Sequence, residues 1–203
     1  MEKLLSGEAP QSWQRLLLGA GVLLEGFCPE RCPDGRALRE ALAAAMADDE
    51  KRLGRTAGET GFRVEPEQTQ IRRDTPRWPA EGEETMTRLR VSLTGTLTEV
   101  TPANLQRLFP WARFGAAGAV SLRPGGAPRA IRDLCWAGSL SGGGLLVIRL
   151  RNAINTAGLI LTVGKSGEGL LPFVFTAHSD RTALGPEGVP FDIWLAESEE
   201  NEA

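Results

Sequence analysis

One stretch of the sequence, residues 85–108, limits the possible folds of this chain more than any other. From residue 89 to residue 97, apolar side chains alternate with polar ones. The odd positions hold Leu89, Val91, Leu93, Gly95 and Leu97, and the even positions hold Arg88, Arg90, Ser92, Thr94, Thr96 and Thr98. This alternation predicts a β-strand with one face in a core and the other in water. Threonine is favoured on such a half-buried, pleated surface.

A short helix is predicted directly after this strand. Thr101 is suited to the N-cap position and Pro102 to the first helical position. Leu105 and Leu108 would form the apolar side of the helix, and Pro110 would end it.

A second long strand is predicted over residues 62–73, where Phe62 and Val64 alternate with charged residues. Residues 74–84 contain two prolines, a glycine and a tryptophan, and predict an extended loop between the two strands. If the strands pair as a hairpin, their polar faces must coincide, so odd positions of the first strand lie opposite even positions of the second.

This pairing would bring two carboxylates onto the polar face of the hairpin. Glu65 and Glu67 would share that face with Arg88 and Arg90. Their negative charges would partly offset the positive charges of the two arginines.

The rest of the chain predicts many strands and one longer helix. Asp34 could cap a helix over residues 35–53, and residues 54–61 predict a loop. Further strands are expected over residues 13–27, 131–137, 145–151, 159–164, 170–177 and 189–195. The expectation is a mainly β fold, a sandwich or barrel with one or two flanking helices, in a single domain over residues 1–203. Residues 1–12 would form an N-terminal arm and residues 196–203 an acidic tail.

Charge and composition exclude several classes of protein. The net charge of the 203-residue chain is -3, and no basic stripe indicates tight nucleic-acid binding. No apolar run is long enough to span a membrane. The three cysteines are an odd number, which argues against a secreted disulfide scaffold.

No motif predicts catalysis, a cofactor or a metal site. The single histidine, His178, is the residue on which a nucleophilic mechanism would depend, and a structural role is favoured for it. Cys28 and Cys32 have a spacing that could hold a metal ion, but a second pair is missing. Cys135 lies in a predicted strand and is expected to be a buried thiol. The glycine that a phosphate-binding loop would need before Lys165 is replaced by leucine.

Seven stretches, in this order and spacing, resemble the major tail proteins, or tail tube proteins, of long-tailed phages and prophages of Gram-positive bacteria. They include Gly-Ala-Gly-Val-Leu-Leu-Glu-Gly-Phe (19–27), Gly-Phe-Arg-Val-Glu-Pro-Glu (61–67) and Val-Ser-Leu-Thr-Gly-Thr-Leu-Thr-Glu-Val-Thr-Pro-Ala-Asn-Leu (91–105). The others are residues 133–138, 149–159, 173–178 and 189–194. An alanine-rich helix around 36–50 and the Cys-Pro-Glu-Arg-Cys loop (28–32) depart from the family.

The resemblance implies a β-sandwich subunit that forms stacked hexameric rings. The rings build a tube through which DNA passes, without specific binding, from capsid to host. The implied partners are further copies of the chain, a tape measure protein, a tail terminator and distal tail proteins, with no membrane. The implied location is the virion tail, and the host cytoplasm during assembly. Family members have no catalytic residues or cofactors.

Combined with the strand alternation, the resemblance predicts two sets of functional residues. The lumen-facing set is Arg88, Arg90, Ser92, Thr94, Thr96, Thr98, Glu65 and Glu67. The loop between the two strands would contact the next ring through Pro76, Arg77, Trp78, Pro79 and Glu81.

Other functions remain open on the sequence alone. Within the same fold, the chain could form the inner tube of a contractile tail, a tailocin or an injection system. A small-molecule-binding β-barrel with an apolar pocket belongs to a different class. For the polar strand face, the alternative is simple solvent exposure, and for the 74–84 segment it is a mobile surface loop.

Overall fold

The computed structural model describes residues 17–70, 84–114, 120–122, 133–163, 169–179 and 188–197. In these ranges the strands are β1 (Leu17–Glu25), β2 (Arg52–Gln70), β3 (Glu84–Leu97), β4 (Ala112–Phe114), β5 (Val120–Leu122), β6 (Leu134–Leu140), β7 (Leu145–Leu150), β8 (Ile154–Asn155), β9 (Thr162–Val163), β10 (Gly169–Thr176) and β11 (Phe191–Ala196). The α-helices are α1 (Gly35–Ala47) and α2 (Pro102–Leu108). The predicted mainly β fold with flanking helices is confirmed.

Within the described residues, one nine-stranded sheet dominates the fold. Its order is β11-β7-β6-β1-β2-β3-β10-β8, with β9 paired to β10, and its pairings are antiparallel. We call the half from β11 to β1 the back sheet and the half from β2 to β8 the front sheet. Strand β2 pairs with β1 over Arg52–Arg55 and with β3 from Thr56 onward, so a single strand joins the two halves.

The two halves of the sheet enclose the main core. Leu93 and Phe173 from the front sheet pack together with Leu23, Trp136 and Leu150 from the back sheet. Burial of large apolar side chains is the main stabilising term for such a packing of two sheets.

Helix α1 covers the other face of the back sheet. Its Leu38 and Leu42 pack in a second cluster with Val22, Leu24 and Val147. The molecule therefore has three layers in the order helix, back sheet, front sheet. The outer face of the front sheet is left to solvent.

Both predicted helix starts are confirmed. Asp34 Oδ1 accepts a hydrogen bond from the Ala37 amide at 2.7 Å, and Thr101 Oγ1 accepts one from the Asn104 amide at 3.1 Å. The predicted end of α1 is wrong: the helix stops at Ala47, and residue 53 lies in β2. In the described ranges, no helix is long and apolar enough to cross a membrane.

The prediction of a loop over residues 54–61 is also wrong, because these residues belong to β2. Gly54 and Gly58 have φ angles of 128° and 69°, which favour glycine, and the register with β3 shifts between Ala57 and Gly61. The glycines therefore bend a continuous strand where it passes from the back sheet to the front sheet.

The remaining predicted strands are found within the described residues. The exception is the strand predicted over residues 159–164: of its described residues 159–163, only Thr162–Val163 is strand, while Ile154–Asn155 forms a short strand that was not predicted. A second strand pair, β4 and β5, was not predicted from the sequence. The arm over residues 1–12 lies outside the described residues, as does almost all of the loop over 74–84 and of the tail over 196–203, and all three stay predictions.

Candidate functional site

The candidate site is the outer face of the front sheet, which we call the polar face. Glu65 lies opposite Arg90 and Glu67 opposite Arg88 in the β2–β3 ladder, so odd positions of β2 meet even positions of β3 as predicted. Strand β10 extends this face on the other side of β3, where Thr176 lies opposite Ser92 and Val174 opposite Thr94.

The two faces of β3 differ as the alternation predicts. On the core side, Val91, Leu93 and Leu97 are fully buried. The exposed members of the predicted set are Glu65, Glu67, Arg88, Arg90, Thr94 and Thr98, and the half-buried ones are Ser92 and Thr96. The structure thus places the eight predicted residues on one solvent-exposed side of the β2–β3 hairpin, with Thr98 just after the end of β3.

A groove of about 520 Å³ runs across the polar face. Its polar lining consists of Glu59, Arg63, Glu65, Arg90, Ser92, Thr94, Thr156 and Thr176. Sequence reasoning missed the contribution of β10, because β10 pairs with β3 across about 80 positions of the chain. It also missed Thr156, which is hydrogen-bonded to Val174 of β10.

Threonine hydroxyls on this face donate their protons to the protein itself. Thr94 Oγ1 donates to the Gly61 carbonyl at 3.2 Å, and Thr156 Oγ1 lies 3.2 Å from the Val174 carbonyl and 3.1 Å from Thr176 Oγ1. A hydroxyl has one proton, so a threonine bonded in this way presents mainly acceptor lone pairs to the groove. Phosphate oxygens are acceptors too, and gain little from such a surface.

Charges on the polar face balance. Three carboxylates, those of Glu59, Glu65 and Glu67, are matched by three guanidinium groups, those of Arg63, Arg88 and Arg90. Arg63 Nη1 lies 3.3 Å from Glu65 Oε1, and both side chains are largely exposed. An exposed pair of this kind stabilises little, so its main effect is on the local potential.

Beyond the core, β2 and β3 continue as a two-stranded ribbon made of residues 63–70 and 84–90. Residues 63–67 are exposed on both faces, and Val64 is 37% exposed. Val64 alternates with charged residues, as a core position of a half-buried strand would, but it lies outside the core. On this ribbon Val64 and Met86 are exposed, while Leu89 still packs against the main core.

The cysteines and the histidine do not assemble a reactive site. Cys135 is buried with its Sγ 3.3 Å from the Phe27 carbonyl, and burial raises the pKa of its thiol. Cys28 and Cys32 flank the one-turn helix Pro29–Arg31. Across the described ranges, no group of three or more His, Cys, Asp or Glu residues could hold a metal ion.

His178 lies at the end of β10 and is exposed. Its Nδ1 is 3.3 Å from the Asn152 carbonyl, and its own carbonyl accepts from Asn152 Nδ2 at 3.5 Å. These contacts tie the end of β10 to the turn after β7, which is a structural role. Lys165, and the residues Pro76, Arg77, Trp78, Pro79 and Glu81 of the predicted inter-ring loop, lie outside the described residues.

Sequence reasoning missed Arg149, which is 5% exposed near the C-terminal end of β7. Its guanidinium contacts Glu30 Oε2 at 2.6 Å and Asp192 Oδ2 at 2.7 Å, and its Cζ lies 5.1 Å from the Trp194 ring centroid. This cluster ties β7 to β11 and to the loop before α1. The available signal was one arginine in an otherwise apolar strand, Leu-Leu-Val-Ile-Arg-Leu.

Comparison of the chain with protein-family models gives no match, and comparison with curated proteins gives none either.

Proposed function

We propose that this chain is a tail tube subunit, a structural virion protein that assembles with copies of itself into stacked hexameric rings. DNA would pass through the resulting channel from the capsid into the host. The observation that supports this function best is the polar face: a wet, charge-balanced strand surface on the opposite side of the molecule from helix α1.

The layer order suits a tube wall. If the front sheet faces the channel, helix α1 faces outward, and the two cores lie within the wall. Arg88, Arg90, Glu65, Glu67 and the hydroxyl residues of β3 then line the lumen, in agreement with the sequence-based expectation.

The chemistry of the polar face suits transit of DNA better than retention. Each lysine or arginine that binds a phosphate adds salt-dependent affinity. Here the arginines Arg63, Arg88 and Arg90 are matched by an equal number of carboxylates, and the Thr94 proton is already donated to Gly61. A channel with this wall would let DNA slide.

Two other functions are less well supported. The inner tube of a contractile tail, tailocin or injection system would use the same features, and a neighbouring sheath gene would distinguish it. A small-molecule-binding β-barrel needs an apolar cavity, but the space between the two sheets is filled by side chains such as Phe173 and Phe175.

In the proposed role the chain would contact its own copies, a tape measure protein, a tail terminator and distal tail proteins. It would be located in the phage tail, and in the host cytoplasm during assembly. No cofactor is needed.

Electron microscopy combined with thiol labelling tests the proposal. Cys28 and Cys32 are first replaced by serine, and one cysteine is then introduced, either as Thr94→Cys on the polar face or as Ala43→Cys on the exposed side of α1. Negatively stained preparations of purified protein should show tubes with a central channel. In tubes, Thr94→Cys should react with a small maleimide and resist one attached to a large polymer.

The matched variant Ala43→Cys should react with both reagents in tubes, and both variants should react with both reagents as free subunits. Failure to form rings or tubes at any concentration or salt condition would reject the proposed function. Tubes in which Thr94→Cys reacts freely with the large reagent would show that the polar face is not the channel wall.

A further inference from the structure

The groove on the polar face, with its volume of about 520 Å³, is large enough to hold a small ligand. Sites for most small molecules are lined mainly by apolar side chains. This groove is instead lined mainly by hydroxyl, carboxylate and guanidinium groups, with Phe62 and Val174 as its apolar side chains. A ligand that fits the groove must therefore be polar over most of its surface.

The threonine hydroxyls of the groove act as acceptors toward a ligand. Thr94 Oγ1 donates its proton to the Gly61 carbonyl at 3.2 Å. Thr156 Oγ1 donates to the Val174 carbonyl at 3.2 Å. In the 3.1 Å contact between the Thr156 and Thr176 hydroxyls, the proton must then come from Thr176, because each hydroxyl has only one. The lone pairs of Thr94 and Thr176 are left for donor groups of a ligand.

Two charged side chains of the groove have no partner in the protein. Within the described residues, the Glu59 carboxylate and the Arg90 guanidinium form no hydrogen bond and no ion pair. Glu59 lies just before Gly61, which is opposite Thr94 on β3. Thr94 and Arg90 are four residues apart on the same strand, which corresponds to about 13 Å. An acceptor and a donor therefore stand at opposite ends of an elongated groove.

These features together match a neutral ligand that is rich in hydroxyl groups. Arg63 and Glu65 pair with each other at 3.3 Å, and Glu59 is balanced by Arg90, so no net charge draws a strongly charged ligand into the groove. A hydroxyl group both donates and accepts hydrogen bonds, so it suits the acceptors and the donors of the groove alike. Sugar rings carry such hydroxyls and present apolar C–H faces to apolar side chains.

We propose that the groove on the polar face binds a neutral oligosaccharide. Its hydroxyl groups donate to Glu59, Thr94 and Thr176 and accept from Arg90, and Ser92, between Thr94 and Arg90 on the same face of β3, bonds the intervening ring. The site goes beyond the proposed function, because it lies within one subunit and needs no assembly. In a tube it would line the channel and stay open to solutes that enter the channel.

Calorimetric titration of the full chain with maltotriose, cellotriose and tri-N-acetylchitotriose tests the site. At least one of these neutral oligosaccharides should bind with a Kd of about 1 mM, since a few hydrogen bonds at an open surface contribute modestly. The peptide tetra-alanine has a charged group at each end and could also bridge Glu59 and Arg90. It should bind at least about 10-fold more weakly than the best sugar.

Matched substitutions locate the binding. Arg90→Met should weaken binding about 10-fold and Thr176→Val about 5-fold, because each removes a group that bonds the sugar. The controls are Arg36→Met on α1 and Thr98→Val just after β3, both outside the groove, and they should bind like the parent protein. Arg90 is exposed and Thr176 half-buried, so each variant should fold, which circular dichroism verifies.

The possible results distinguish this inference from the proposed function. Tubes without sugar binding up to about 50 mM ligand would overturn the oligosaccharide site and leave the tube function standing. Sugar binding that Arg90→Met and Thr176→Val weaken, in a chain that never forms tubes, would support the site and reject the tube function. Binding that neither variant weakens, or a preference for tetra-alanine, would overturn the inference.

Discussion

The Arg149 side chain is a single residue that holds three separate parts of the chain together. Its guanidinium pairs with Glu30 in the loop before α1 and with Asp192 on β11. Burial alone would raise the pKa of Glu30, but the hydrogen bond and charge of Arg149 outweigh burial, and the pKa of Glu30 lies below its ordinary value. The pair therefore favours the folded state when Glu30 is ionised.

We expect Arg149→Met to lower the free energy of unfolding by about 2 kcal/mol at pH 7, because two carboxylates lose a buried partner. The lowered pKa means that the unfolded chain takes up the Glu30 proton first as the pH falls. The contribution is thus complete above the ordinary pKa of 4.5 and is lost as the pH falls through the lower folded value. Urea denaturation at several pH values should show that the difference between the two proteins is constant well above pH 4.5 and shrinks as the pH falls below 4.5.

Arg36→Met is the control, because Arg36 forms an exposed pair with Glu40 on α1 at 3.1 Å. Its loss should cost at most about 0.5 kcal/mol. A difference between Arg149→Met and the parent that is constant from acid to neutral pH would contradict the linkage to Glu30.

At the scale of single elements, strand β3 is defined by its two opposite faces. Leu93 is fully buried, while its neighbour Thr94 is exposed on the polar face. Substitutions on the two faces should therefore have opposite consequences for folding.

We expect Thr94→Lys with Thr96→Lys to fold with a loss of about 1 kcal/mol, mainly from the Thr94 hydrogen bond to Gly61. Leu93→Lys, in the same strand, should fail to fold because it buries an unpaired charge. In assembled tubes, the added lysines should slow passage of DNA, and more at about 50 mM than at about 200 mM salt, because screening weakens phosphate contacts. Denaturation curves and DNA release from tails measure the two effects.

The exposure of Thr94 indicates that the polar face is free. If the double lysine variant cannot fold, this reading of the face is wrong. If it folds and DNA moves at the parent rate at every salt concentration, these residues do not line the channel.

Local chemistry explains which elements could be predicted from the sequence. The Thr101 cap with Pro102 and the alternation along β3 depend on neighbouring residues, and both predictions are confirmed. The bend at Gly54 and Gly58 could not be predicted, because a glycine that breaks a strand and one that bends it look alike in sequence.

Distant pairing explains what the sequence could not predict about the candidate site. The position of Arg149 between Glu30 and Asp192 joins residues 119 and 43 positions apart. Strand alternation predicts which side of β2 Val64 lies on, but not how far along β2 the core extends, so the exposure of Val64 could not be predicted. The register of β2 against β3 could be predicted because both strands have a wet and a dry side.

At the scale of the whole molecule, the proposed assembly would make stability depend on association. A subunit that buries apolar surface against a neighbour is more resistant to unfolding. The isolated subunit and the assembled one should therefore melt at different temperatures.

We expect the Tm of the parent protein to rise by about 5–10 °C when its concentration is raised about 100-fold. Only the folded state associates, so a higher concentration favours that state by mass action. Scanning calorimetry over a dilution series makes the measurement. A Tm that does not change with concentration would argue against self-association of the chain.

The charge balance of the polar face also bears on how lineages of this protein can diverge. At Leu93 a substitution must preserve volume and apolarity, since the interlayer core is closely packed. At Glu65 and Arg90, which lie opposite each other, exchange of the two residues leaves the summed charge unchanged. Descendants can therefore replace residues of the polar face one compensated pair at a time, while the core residues behind that face change far more slowly.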